Sequence, residues 1–254
     1  MRVERLSVVG QGEQFGGAAE DWYLDQLDAL MRERPISLAR QEAIYVSRAG
    51  MRFGKIAGEA YIEQLVASSG IRVVRPETLT LEDQLCAYRS ADLLIFAEGS
   101  ALHSLGLLGR GLAKVAVVKR RNSFQDVWRS QAAGRVDEFT EINAVDTCFP
   151  SEDSWTGLTC VDPERVIEGF ARLGIELGAH FNAEAWAESV IRDLATFRDD
   201  LANPRFGLGV APADIPAAQA RILDYERSLV RQSAVRAKAL PHGHEWHRLD
   251  CRAL

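Results

Sequence analysis

The chain has 254 residues, is 47% hydrophobic and carries a formal net charge of -6. That length and apolar content suit one substantial core, or one core with a small satellite. The acidic balance excludes a general attraction to nucleic acid or anionic lipid, so a polyanion would need a local basic patch, and no nucleic-acid partner is expected.

The cysteines, Cys86, Cys148, Cys160 and Cys251, are widely separated and form no C-x-x-C pair, which suits reduced thiols rather than a disulfide framework or zinc site. No window approaches the roughly 20 apolar residues of a membrane span, and the N-terminus has no long apolar region. A cytoplasmic location is expected, with peripheral membrane contact left open.

Along the chain, "IYVSR" at 44–48 and "IRVVR" at 71–75 are short and β-branched, while "DLLIFAE" at 92–98 and "KVAVVKR" at 114–120 are nearly continuous apolar runs. Such runs are expected of parallel strands buried on both faces. Between them, Ala57, Tyr61, Ile62, Leu65 and Val66, and then Leu81, Leu85 and Tyr88, have helical spacing. Thr80 is the expected cap of the second helix. Alternating strand and helix predicts an α/β fold: a Rossmann-like parallel sheet with helices on both faces.

Beyond 121, "RNSFQDVWRSQAA" reads as a helix capped by Asn122 or Ser123, "VDEFTEINAV" as a strand and "DTCFPSEDSWTG" as a loop. Asp162-Pro163 starts a helix over 163–177, and a longer helix at about 183–201 aligns Trp186, Val190, Leu194, Phe197 and Leu201 as a core face. A Pro/Gly-rich linker leads to a last helix at roughly 216–239 carrying Arg221, Arg227, Arg231, Arg236 and Lys238, read as a solvated or partner-contacting face or a membrane-surface helix. The division expected is an N-terminal extension or lobe remnant at 1–43, a donor-binding domain at 44–178 and a helical region at 179–254.

In an open α/β sheet, ligands sit beyond the carboxyl ends of the strands, near a topological switch point. Glu98-Gly99-Ser100 is such an end. A helix starting near Ser100 would offer unpaired N–H groups to a phosphate or diphosphate. Arg48, Arg52, Lys55, Arg120 and Arg121 are expected at the same edge, and the guanidinium fork matches phosphate oxygens. Glu98 and Glu59 are candidates to accept from sugar hydroxyls, or to pair with those arginines. His103, one turn further on, is the nearby histidine, the residue type that ordinarily titrates closest to neutrality. No Asp-x-Asp lies at a strand end and "RDD" at 198–200 falls on a helix, so no metal is implied. His242, His244 and His247 near the C-terminus, with Cys251, read as a tail rather than a completed metal site.

The stretch from "IYVSRAGMRFGKIAGEAY" to "ADLLIFAEGSALHSLGLLG" resembles the core of the glycosyltransferase 61 family, of capsular polysaccharide biosynthesis type. Ser47 and Arg48 fit its strand-terminal Ser-Arg, Lys55 its basic residue, Glu59 its glutamate, and Pro76, Glu77, Leu79 and Gln84 its middle stretch. The family's His-Gly-Ala is replaced by Glu98-Gly99-Ser100, and Gly58 stands where Asn is common. The resemblance implies the C-terminal, donor-binding lobe of a two-lobed GT-B enzyme, with residues 1–43 too few for the other lobe. It also implies transfer of a sugar from a nucleotide-sugar to a glycan acceptor hydroxyl, with no cofactor. Arg48, Lys55, Ser100 and the backbone at Gly99 would hold the diphosphate, Glu59 and Glu98 would meet hydroxyls or orient Arg48, and Glu98 or His103 are the candidates for catalytic base. A non-catalytic nucleotide-sugar-binding or scaffold protein is the alternative. A dinucleotide enzyme is disfavoured, because no G-x-G-x-x-G follows the first strand.

Overall fold

The computed structural model describes residues 12–14, 16–33, 39–122, 127–152, 154–206, 208 and 210–239. The strands are β1 (Gln41–Val46), β2 (Lys55–Ile56), β3 (Arg72–Val74), β4 (Ala91–Ala97), β5 (Leu112–Val118), β6 (Val136–Ile142), β7 (Val145–Phe149) and β8 (Leu158–Val161). The α-helices are α1 (Asp21–Glu33), α2 (Glu59–Ser68), α3 (Leu81–Arg89), α4 (Val127–Ala132), α5 (Pro163–Arg172), α6 (Ala183–Leu201) and α7 (Ile215–Ala239).

The main sheet has five strands in the order β3-β1-β4-β5-β6, and every neighbouring pair is parallel. The chain moves outward from β1 to β3, then returns past β1 to build β4, β5 and β6. The reversal makes the gap between the carboxyl ends of β1 and β4 the switch point. Side-chain alternation divides the core accordingly. Ala43, Tyr45, Leu93, Ile95, Ala97, Ala116 and Val118 face one way, joining Ile62, Leu65 and Val66 of α2, Phe170 of α5, and α6. Ile44, Val46, Leu94, Phe96, Val115 and Val117 face the other, against Tyr88 of α3 and Trp128 of α4. Both faces of the parallel sheet are thus covered by helices, as the apolar runs require.

Local chemistry sets the helix starts. Thr80 accepts from the Asp83 N–H at 3.1 Å, Asp162 from that of Glu164 at 2.9 Å, and Asn182 from Glu184 and Ala185 at 3.0 Å. Each satisfies donors that a helix N-terminus leaves unpaired. The expected apolar face of α6 is buried at Trp186, Val190, Leu194, Phe197 and Leu201. The Asn182 N–H donates to the Tyr61 hydroxyl at 2.5 Å, tying the start of α6 to α2.

Several segments differ from expectation. The residues after Gly99 form a 3-10 helix over Ser100–Leu107 rather than an α-helix. Leu102, Leu105 and Leu108 are all buried, and their spacing of three matches three residues per turn. The segment expected as a loop supplies β7, which joins β2 and β8 in a second, three-stranded sheet. The helix expected over 163–177 stops at Arg172, with Gly174 at φ +83° close behind, a left-handed position that favours glycine. Of the helix expected within 121–133, the described part is α4; residues 123–126, Ser123 among them, lie outside the described residues, as do His242, His244, His247 and Cys251. Among the described residues no helix is long and apolar enough to cross a membrane.

Candidate functional site

Arg48 leaves the carboxyl end of β1, Gly99 and Ser100 follow β4, and Arg120 and Arg121 follow β5. The Arg48 Nε donates to the Gly54 carbonyl at 2.9 Å, and Nη1 to the Ser100 hydroxyl at 3.4 Å. Its guanidinium lies directly against Gly99: a Cβ there would stand 2.3 Å from Nη1 and 2.5 Å from Cζ. The backbone of Gly99 is extended, with φ 167° and ψ -168°. Close approach of Arg48, not backbone conformation, is therefore what excludes a side chain at this position.

Arg120 is 3% exposed. Its Nη1 donates to the Ser154 carbonyl at 3.1 Å and its Nη2 to that of Trp155 at 3.3 Å, while its buried Nε has no hydrogen-bond partner. Arg48 Nη2 and Arg120 Nη2 approach the same face of Gly54, at 3.5 and 3.7 Å from the position a Cβ would take. Burial, then repulsion from Arg121 and Arg48, push the Arg120 guanidinium down to about 10 despite attraction to Glu98. It remains a cation near neutrality, held where a cation is disfavoured. Arg48 is lowered as well: burial is the main cause and Arg121 adds to it, opposed by Glu59, Glu77 and Glu98.

Two buried carboxylates organise these cations. Glu98 is fully buried. Its Oε1 accepts from Arg121 Nε and Nη2 at 3.0 and 2.7 Å, and its Oε2 from the Arg120 and Arg121 N–H groups at 2.7 and 3.0 Å. This bidentate, charge-assisted arrangement fills the lone pairs that a substrate hydroxyl would need. Of the alternatives for Glu98, the geometry is that of arginine pairing; as a base it would first have to leave Arg121.

Glu59 opens α2 and is also fully buried. Its Oε1 accepts from the Arg48 N–H at 2.7 Å, the Ser47 hydroxyl at 3.1 Å and the Tyr45 hydroxyl at 3.2 Å, leaving Oε2 without a partner. Burial raises its pKa, against the opposing effects of those donors and of Arg48. Glu59 therefore fixes the backbone from which Arg48 projects. The sequence places Tyr45, Ser47 and Glu59 together through β1 and the first turn of α2.

The other two basic residues go elsewhere. Arg52 makes a bidentate pair with Asp200 at 3.0 and 2.6 Å and stacks over Phe206 at 4.1 Å. Lys55 Nζ lies 2.6 Å from Asp193, whose other oxygen accepts from the Gly58 N–H at 2.8 Å. The expectation that all five basic residues share one cluster is corrected: α6 carries carboxylates that draw Arg52 and Lys55 toward it. His103 is exposed on the 3-10 helix with its ring 5.1 Å from that of Trp128. Arg120 was visible in the sequence as a basic strand end, but nothing local marked it as the buried cation held by carbonyls. Trp155 is marked in the sequence only as a single large aromatic in the polar stretch "SEDSWTG".

The arrangement can hold an anion. Arg48 and Ser100 are its accessible donors, and the guanidiniums of Arg120 and Arg121 behind them raise the local positive potential. Comparison with curated proteins finds no match. The Glycosyltransferase 61 family model matches residues 1–115, a span that holds Arg48, Lys55, Glu59, Glu98, Gly99, Ser100 and His103, so over that span the chain is similar to glycosyltransferase 61 proteins.

Proposed function

We propose that the chain transfers a sugar from a nucleotide-sugar to a glycan hydroxyl in polysaccharide biosynthesis, acting in the cytoplasm as the donor-binding half of a GT-B-type enzyme. The observation that carries this reading is the convergence of Arg48, Arg120 and Arg121 at the switch point, against two buried carboxylates, Glu59 and Glu98. A diphosphate would supply the missing negative charge. In the transfer, the bond from the anomeric carbon to the diphosphate oxygen breaks as the bond to the acceptor oxygen forms. Charge then develops on the diphosphate, where preorganised donors stabilise the transition state.

In this reading Arg48, Ser100 and the Gly99 backbone bind the diphosphate, Arg120 and Arg121 supply field, and Glu98 and Glu59 position Arg121 and Arg48. Lys55 acts through Asp193 on the shape of the 55–58 turn. His103, exposed one turn along the 3-10 helix from Ser100, is the remaining candidate for accepting the acceptor proton. Calorimetric titration with UDP-, GDP- and CMP-linked sugars tests the reading. It predicts binding of a diphosphate-linked donor in preference to the CMP-linked one, weakened by Arg48→Ala and by Ser100→Ala. A folded protein that binds none of them at millimolar concentration would refute it.

A second reading, a binding module without turnover, is favoured by the full engagement of both Glu98 oxygens. Donor binding with no transfer or donor hydrolysis, unchanged by His103→Ala, would select it.

A further inference from the structure

Trp155 is 63% exposed, the most exposed large hydrophobic side chain among the described residues. Exposing so much aromatic surface forgoes burial that would favour folding, yet this segment is not loosely held. The Ser154 and Trp155 carbonyls accept from Arg120 at 3.1 and 3.3 Å, and the Thr156 carbonyl accepts from the Gly54 N–H at 3.2 Å. The Arg121 guanidinium lies 4.5 Å from the indole centroid. Three successive backbone positions and one ring contact thus fix an exposed indole at the edge of the arginine cluster. A rigid aromatic ring beside a diphosphate site is preorganised for stacking.

We infer that Trp155 is the stacking platform for the nucleobase of the donor nucleotide. The inference rests on the diphosphate reading above, which sets the phosphates at Arg48 and Ser100. Arg120 bridges that site to Trp155: its guanidinium meets Arg48 over Gly54 and holds the Trp155 carbonyl. The Trp155 carbonyl, Arg48 Nη2 and Arg120 Nη2 all lie within 4 Å of the position a Gly54 Cβ would take, and the indole lies against Arg121, so the residue that carries the indole borders the phosphate site. Of the parts of a nucleotide, the base offers the flat π-face that an indole stacks on. Because every base has such a face, the platform adds affinity without selecting strongly among bases.

The test is calorimetric titration of the full chain with UDP, GDP, a UDP-linked hexose and inorganic pyrophosphate, for wild type, Trp155→Ala and Trp155→Phe. Trp155→Ala should weaken UDP or GDP binding roughly tenfold and pyrophosphate binding less than about twofold, with Trp155→Phe in between. Nucleotide, but not pyrophosphate, should quench a component of the tryptophan fluorescence that Trp155→Phe removes. Equal losses for nucleotide and pyrophosphate would assign Trp155 to holding Arg121 and overturn the inference. Loss confined to the UDP-linked hexose would assign it to the sugar and also overturn it, as would no loss at all. Pyrophosphate binding without nucleotide binding would sink the inference and leave the diphosphate site standing. Binding of neither by the wild type would remove both.

Discussion

The basic residues at and around the 48–58 segment fall into two groups that differ in how their charge is met. Arg52 and Lys55 each have a dedicated carboxylate on α6, Asp200 and Asp193, at 2.6 Å. Arg121 is paired with Glu98, but beside it the Arg48 guanidinium donates to a carbonyl and a hydroxyl, and that of Arg120 to two carbonyls, instead of to a carboxylate. A satisfied ion pair has little to offer an incoming anion. An under-neutralised cluster at a switch point gains from one, because the ligand relieves repulsion among cations that the fold has already brought together. Position along the sequence does not separate the two groups; the carboxylates they meet do.

The largest expected effect lies in the buried pair. Glu98→Ala leaves Arg121 buried without its carboxylate, and removing one partner of such a pair costs about 3–5 kcal/mol. Denaturant unfolding of the variant should show that loss, whereas wild-type stability would mean that Arg121 is held by other means.

Gly58→Ala probes the paired side. Gly58 has φ +77°, and a Cβ there would lie 2.7 Å from Val190 Cγ2. The left-handed backbone and the overpacking together predict a loss of about 2 kcal/mol or more, measured as a lower unfolding midpoint. An unchanged midpoint would show that α6 yields more readily than its packing on α2 implies.

Lys55→Ala sharpens the contrast further. Removing this partly buried partner of Asp193 should lower stability by about 1 kcal/mol while leaving nucleotide affinity unchanged in titration.

The smallest effect is a slope. Burial raises the pKa of Glu59 above its ordinary value of 4.5, so the folded state holds that proton more readily than the unfolded chain. The contribution to stability is fully present below the unfolded value and is lost as pH rises through the raised folded value. Glu59→Gln should flatten this part of the stability-pH curve; an identical curve would mean that Glu59 ionises without penalty.

Much of this architecture was legible because it depends on local pattern. The apolar runs of β4 and β5, the caps at Thr80 and Asp162, and the core face of α6 are set by residues close in sequence. The second sheet was not legible: β2 is two residues long and β8 four, too short to show a period, and they pair across about a hundred residues of chain. The 3-10 helix was readable in the spacing of Leu102, Leu105 and Leu108, but an apolar run invites an α-helix. At the site, strand ends placed Arg48, Gly99, Ser100, Arg120 and Arg121 together. The pairing of Lys55 with Asp193 and of Arg52 with Asp200 depends on how α6 packs on α2, which no local signal encodes.

The central claim is that ligand binding belongs to the under-neutralised arginines and not to the paired cations. Its most direct test is titration of one diphosphate ligand, UDP or GDP, into wild type, Arg48→Ala and Lys55→Ala, with folding of each checked by its unfolding transition. Losing the charge-assisted bonds of Arg48 should weaken binding about tenfold or more, and Lys55→Ala should match wild type. Equal weakening by both substitutions, or undiminished binding in Arg48→Ala, would contradict the account.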